Sequence, residues 1–172
     1  MTDDTLKQAR ELVQVGRSRG GITCPCCGLL NRERSSRLCR PNVVALVVLY
    51  VEHHKAGWDQ WVHLGEKLRL SRLQGQLSLD GADRGNGDWY RLRFWGLIEG
   101  VRSNTDPTAP STGRHARVRM TPLGKSFVEG LEALPERIIT FDNKLVRFDG
   151  NPVTVSDALG TPFNLVDVLG EA

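Results

Sequence analysis

The residues with the clearest chemical potential are four cysteines in the first quarter of the chain. Cys24, Cys26, Cys27 and Cys39 fall within sixteen positions, and the rest of the 172-residue sequence has no cysteine. In a reducing compartment, clustered cysteines indicate a metal site more often than a disulfide, because thiolates are good ligands for Zn²⁺. The sequence therefore predicts a metal site in this segment.

The segment Cys24–Gly28 fits the pattern C-P-x-C-G, which resembles the knuckle of zinc ribbons. The resemblance implies a structural Zn²⁺ bound by Cys24 and Cys27, and Cys39, which follows alone, is the candidate third ligand. A full ribbon has a second cysteine pair, which this chain lacks, so the fourth ligand is left to a histidine, a carboxylate or water. His63 is the better-placed histidine, because His53 lies about 17 Å along a helix that starts near residue 42.

Arginines form the second group, since guanidinium groups bind phosphates and guanine edges. Residues 1–40 have net charge +4, residues 41–130 have +3 and residues 131–172 have −4. This basic front can attract a polyanion, although an ordinary solvated surface is the plain alternative. Four arginines after the Cys24–Gly28 knuckle (32, 34, 37 and 40) could also meet phosphates. The candidate nucleic-acid contacts are Tyr90, Arg91, Arg93, Arg114, Arg117 and Arg119.

These side chains need a scaffold, and hydrophobic periodicity predicts one between residues 42 and 131. The pattern gives a buried helix with Asn42 as a possible N-cap, a short extended segment, two helices, a strand, a loop, a second strand and a helix over 122–131. Alternation of Val118 and Met120 with Arg117 and Arg119 is typical of a half-buried strand. This order is that of a winged helix-turn-helix, and another small α+β arrangement is the alternative.

Two motifs favour the winged helix. Leu92–Glu99 resembles the L-x-x-W-G-L-I end of a recognition helix that runs into the first wing strand, and Met120–Phe127 resembles the h-T-x-x-G-x-x-F junction after the second wing strand. On the helix we expect Trp89, Leu92 and Trp95 to face the core. Tyr90, Arg91 and Phe94 then point outward, with Arg93 at the flank.

The run from about residue 22 to 170 resembles small bacteriophage- and prophage-encoded winged helix-turn-helix proteins with an N-terminal CPxCG zinc knuckle. The matching segments are Cys24–Gly28, Leu49–Tyr50, Trp61–His63, Leu92–Glu99, Thr121–Phe127 and Ala158–Phe163. The resemblance implies a fold and a phage-like origin more than a function.

The expected fold is α+β. We expect a helix over residues 1–21, a cysteine-rich knuckle segment over 22–40, a winged-helix domain over 41–134 and a β-hairpin with short helices over 135–172. A tight turn is expected at Asp142–Lys144 and a further turn at Asp149–Pro152. The acidic tail is open to three roles: packing on the winged helix, mediating a homodimer, or mimicking an anionic surface.

Two functions of different class follow. The first is a transcriptional regulator or accessory factor that binds double-stranded DNA. The second is a module that binds a host or phage protein, with Tyr90 and Phe94 as anchors. An enzyme is not expected, because no catalytic motif and no cysteine with a recognisable base is present. Without a signal peptide or membrane-spanning run, we expect a soluble cytoplasmic protein with no membrane partner.

Overall fold

The computed structural model describes residues 3–16, 20–70, 88–100 and 117–170. Within these ranges the chain is α+β, as the sequence predicts, with helices and small antiparallel sheets. The chain divides into two compact units. We call residues 1–37 with 137–150 the first unit, and residues 38–136 with 151–172 the second unit. No helix in the described part of the chain is long and apolar enough to cross a membrane.

The first unit begins with helix α1, Asp3–Gly16. On its inward face Ala9 is buried, and Leu6 and Val13 are half-buried. Strands β1 (Ile22–Thr23) and β2 (Leu30–Asn31) follow and pair with each other in antiparallel register. Their short sheet brings the two ends of the cysteine turn together.

A three-stranded sheet completes the first unit, in the order β3-β6-β7. Strand β3 (Arg34–Arg37) pairs antiparallel with β6 (Leu134–Phe141), and β7 covers Lys144–Val153. The predicted tight turn is confirmed at Asp142 and Asn143, whose φ angles are 50° and 54°. Asp and Asn tolerate this left-handed conformation better than most residues.

The further turn predicted at residues 149–152 is wrong, because β7 continues through these residues to Val153. Gly150 has a φ angle of 84°, which glycine adopts without strain, so the strand can deviate there without ending. Pro152 lies near the end of a strand at the sheet edge, where a missing N–H does no harm. Residues with turn propensity therefore mark an irregular edge strand here.

The second unit is organised around helix α2, Arg40–Ala56. Ten consecutive residues from Asn42 to Val51 are buried, together with His53, as expected for a helix that is apolar on all sides. The predicted N-cap is wrong: Cys39 is the N-cap, and the Asn42 side chain accepts hydrogen bonds from the Cys39 amide (3.4 Å) and thiol (3.1 Å). Because Pro41 favours the first turn of a helix, the helix starts at Arg40, before Asn42.

Four short helical elements contact α2. They are α3 (Leu64–Leu70), a 3₁₀ helix (Asp88–Trp95), α4 (Pro122–Val128) and α5 (Val155–Leu159). A last helix, α6, covers Leu165–Gly170. The short helices predicted near the end of the chain are thus confirmed. Helix α4 ends three residues before the predicted residue 131.

A small β-ribbon completes the second unit. Strand β4 (Ile98–Gly100) pairs antiparallel with β5 (Val118–Met120), and Val62 forms a bridge to Val118 on the other edge of β5. Val118 and Met120 are buried, so the predicted alternation is confirmed. The predicted loop between the two strands lies outside the described residues.

Candidate functional site

The 3₁₀ helix is anchored by two side chains on its inner side. Leu92 and Trp95 are buried, and the Trp95 indole donates a hydrogen bond to the Pro135 carbonyl at 2.8 Å. Gly96, with a φ angle of 73°, ends the helix and lets the chain turn directly into β4. The backbone of the predicted recognition segment is therefore firmly attached to the core.

The outer side of this helix presents one arginine. Arg93 is exposed, whereas Tyr90, Arg91 and Phe94 are half-buried. The 3.6-residue period of an α-helix predicts Arg93 at the flank. The observed 3₁₀ helix turns every three residues and so changes which side chains point outward. The guanidinium carbon of Arg93 lies 4.7 Å from the centre of the Phe94 ring and 5.6 Å from that of Tyr90. Two aromatic rings thus hold an exposed cation in place.

The predicted wing arginines have different surroundings. Arg119 forms hydrogen bonds and an ion pair with Glu99, its neighbour across the ribbon, at 2.8 Å, and it lies 3.9 Å from Asp59. Its guanidinium also covers the Trp61 ring at 4.9 Å. Arg117 is exposed. Arg119 is therefore balanced by carboxylates, and Arg117 offers its charge to solvent. The predicted contact Arg114 lies outside the described residues.

Sequence reasoning missed a group of side chains beside the ribbon. The Lys125 ammonium lies 4.5 Å from the centre of the Trp58 ring, and Tyr50 meets the same ring edge-on at 5.0 Å. An open depression of about 350 Å³ adjoins them, lined also by Glu99 and Arg119. Trp58 follows the glycine that ends α2, and nothing in its spacing from Lys125 connects the two residues. No sequence signal could have found this group.

His53 was considered only as a poor zinc ligand, and the structure gives it a different role. Its ring is fully buried; Nε2 accepts a hydrogen bond from the Met120 amide at 3.1 Å, and Nδ1 lies 3.3 Å from the Gly57 carbonyl. Because an amide N–H can only donate, the proton must sit on Nδ1 and the ring must be neutral. Burial lowers the pKa of His53, assisted by the positive charge of Arg119 and opposed by the Gly57 carbonyl and Glu52. His53 therefore joins α2 to the ribbon.

The cysteine turn has an ordered backbone. The Cys24 amide donates to the Leu29 carbonyl at 2.8 Å, and the Gly28 amide donates to the Cys24 carbonyl at 2.9 Å. Backbone amides of Cys26 and Cys27 point to the Cys24 sulfur and lower its pKa, whereas burial and the neighbouring thiols raise the pKa of Cys26. Of these two sulfurs, Cys24 is therefore better prepared to be a thiolate. A depression of about 370 Å³ lies between these cysteines and α1.

The third predicted zinc ligand has a separate place in the chain. Cys39 belongs to the second unit, where it caps α2. Among the described residues, no three or more His, Cys, Asp or Glu side chains are placed to hold a metal ion. The Cys24–Cys27 turn fits two of the four ligands of a structural zinc, so the full ligand set stays a prediction.

Comparison with known proteins adds no relative. No protein-family model, no curated protein and no solved structure shows significant similarity to the chain. A function is therefore inferred from the side chains and their geometry.

Proposed function

We propose that the second unit is a winged helix-turn-helix that binds double-stranded DNA. Support comes from the order of its elements: α2, the Val62 bridge, α3, the 3₁₀ helix, β4 and β5. Val62 and β4 lie on opposite edges of β5. Strand β4 contacts the 3₁₀ helix, so the ribbon packs beside the helix that precedes it. A helix followed directly by a β-ribbon is the combination that enters the major groove and contacts the flanking backbone in winged-helix proteins.

Arg93 is the observation that carries the proposal. It is exposed on a helix whose opposite side is fixed by Leu92 and Trp95, and its guanidinium is held over Tyr90 and Phe94. A guanidinium with a fixed position loses little conformational freedom when it meets a guanine edge or a phosphate. Arg93 is therefore the central contact in this proposal.

Arg117 and Arg119 contribute unequally to the proposed DNA binding. Arg117 is exposed and can neutralise a phosphate. Arg119 is paired with Glu99 and covers Trp61, and moving it to DNA would break both contacts. We assign Arg119 the role of stiffening the ribbon, and we assign Arg117 the role of binding the DNA backbone.

Binding to duplex DNA, measured by fluorescence anisotropy over a salt series, tests these roles. Replacing Arg93 and Arg117 together with alanine should weaken binding and reduce the slope of log K against log salt by about 2, since each lost phosphate contact removes about 0.9. The matched control replaces Arg34 and Lys144, two exposed cations of the first unit. Equal affinity and slope for the wild-type protein and the Arg93/Arg117 variant would refute the assignment.

The proposal includes a structural zinc at the cysteine turn and a regulatory or accessory role in a phage or prophage, in line with the resemblance in sequence. Elemental analysis of the preparation used for DNA binding measures the zinc. We expect one zinc per chain, which should be lost on Cys24→Ser and on Cys27→Ser but kept on Cys26→Ser. Zinc in the Cys24→Ser protein would contradict this ligand choice.

Protein recognition through Tyr90 and Phe94 is less well supported. Both rings are half-buried, and Arg93 lies over both of them. Aromatic anchors of an interface usually insert exposed rings into a pocket of the partner.

A further inference from the structure

Strand β7 is an unusual sheet edge. It is the last strand in the order β3-β6-β7, so one of its edges has no neighbouring strand within the described part of the chain. Every side chain from Lys144 to Pro152 is exposed. Three of these are large hydrophobic side chains: Leu145 is 39% exposed, Val146 36% and Phe148 47%. A long strand with apolar side chains and unpaired amides is a template for another strand.

The opposite edge of the same sheet shows the contrast. Strand β3 has four residues, with Arg34 and Arg37 at its two ends. Short length and charge at an edge discourage pairing with another chain. Strand β7 has ten residues and lacks this protection over Leu145 and Val146. Over its first half, β7 is therefore the edge of this sheet that fits another strand better.

The charges along β7 are self-complementary. When two copies of one edge strand pair antiparallel about a two-fold axis, the axis is perpendicular to the sheet and one residue lies opposite its own copy. With Phe148 at the axis, Arg147 of each copy lies opposite Asp149 of the other copy, which gives two such pairs. With Arg147 or Asp149 at the axis, like charges meet. Only registers centred near Phe148 therefore combine opposite charges with an aromatic pair.

We propose that a second copy of this chain pairs with β7 in antiparallel register, with the two Phe148 rings facing each other and Arg147 paired with Asp149 of the second copy. The structure already orients this arginine: one amino group of Arg147 donates to the Glu33 carboxylate at 2.7 Å. A guanidinium has five N–H donors, so further donors stay available for Asp149. This homodimer does not depend on the proposed DNA binding.

Charge reversal tests the register by sedimentation equilibrium over a concentration series. Arg147→Asp places two acids opposite each other, and Asp149→Arg places two arginines opposite each other, so each single variant should dimerise at least about tenfold more weakly than the wild type. A mixture of the two variants restores both opposite pairs across a heterodimer. The mixture should therefore associate with nearly wild-type strength, and so should the chain carrying both changes.

Lys144→Asp is the matched control, because it makes the same change of charge on the same strand but faces Pro152 in this register. It should dimerise like the wild type. Circular dichroism verifies that each variant is folded, and recovery in the mixture rules out loss of the Arg147–Glu33 contact as the cause. A monomeric wild type over the full range would overturn the proposal, as would single variants that dimerise normally or a mixture that stays monomeric.

Discussion

Helix α2 and strand β7 show how differently the two units use apolar residues. In α2, the ten residues from Asn42 to Val51 are all buried. In β7, the nine residues from Lys144 to Pro152 are all exposed, although Leu145, Val146 and Phe148 are apolar. The apolar side chains of α2 are buried in a core, and those of β7 are available for association.

From this contrast we expect some substitutions to affect stability and others to affect binding. Removing buried apolar atoms loses both their transfer free energy and their packing contacts. Removing exposed ones costs little in the isolated chain, because they already contact water. Substitutions of buried residues in the second unit should therefore change the free energy of unfolding. Substitutions in the hairpin of the first unit should change the strength of association.

The largest expected effect is a pair of phenylalanine truncations. Phe127 is fully buried in α4, and Phe127→Ala should lower the free energy of unfolding by about 3–5 kcal/mol. Phe148→Ala, at low protein concentration where the chain is monomeric, should change it by less than about 0.5 kcal/mol. Denaturant unfolding followed by circular dichroism measures both values. Similar losses in the two variants would break the contrast between the units.

A pair of glycine substitutions sharpens the contrast inside the second unit. A Cβ added at Gly124 would overlap the Leu97 carbonyl and press on Met120, whereas one added at Gly100 would meet no atom of the described residues within 4 Å. Gly124→Ala should therefore cost about 1–3 kcal/mol, and Gly100→Ala should stay within about 0.5 kcal/mol of the wild type. Thermal melting of the two variants provides the measurement. A Gly124→Ala protein as stable as the wild type would show that α4 can move away from β4.

The smallest effect concerns pH. Above about pH 6.5, the ordinary pKa of histidine, His53 is neutral in both the folded and the unfolded state. As pH falls below this value, the unfolded chain gains a proton that the buried ring resists, because burial lowers its pKa. The free energy of unfolding should therefore decrease, by at most about 1.4 kcal/mol per pH unit for this one proton.

His53→Gln removes this contribution and should flatten the stability profile between about pH 6.5 and the lowered pKa. His54→Gln, the same change at the exposed neighbouring residue, is the matched control. Urea unfolding at a series of pH values distinguishes the two. An unchanged slope in His53→Gln would assign the pH dependence to other groups.

Local signals predicted much of the fold. The apolar run that starts at Val43 became the buried helix α2. The Asp142–Asn143 turn and the alternation of Val118 with Met120 also appear as expected. Thr121 caps α4, its side chain accepting a hydrogen bond from the Gly124 amide at 3.0 Å. These features depend on neighbours a few residues apart, which a sequence displays directly.

The site was less predictable, because it depends on partners that are distant in the chain. The salt bridge of Arg119 with Glu99 and the bond from Met120 to His53 join residues 20 and 67 positions apart. The outward position of Arg93 depended on whether its helix turns every 3 or 3.6 residues. Sequence periodicity alone does not separate these two geometries over eight residues.

The bond from the Met120 amide to His53 has one more consequence. On the edge of β5 away from β4, Val118 exchanges backbone hydrogen bonds with Val62, and Met120 uses its amide on an imidazole. The His53 side chain therefore accepts the hydrogen bond that the backbone of a longer neighbouring strand would accept. A peptide seeking to extend this ribbon past Val62 would first have to displace a ring sealed in the protein interior. His53 therefore limits further strand pairing on this edge of the ribbon.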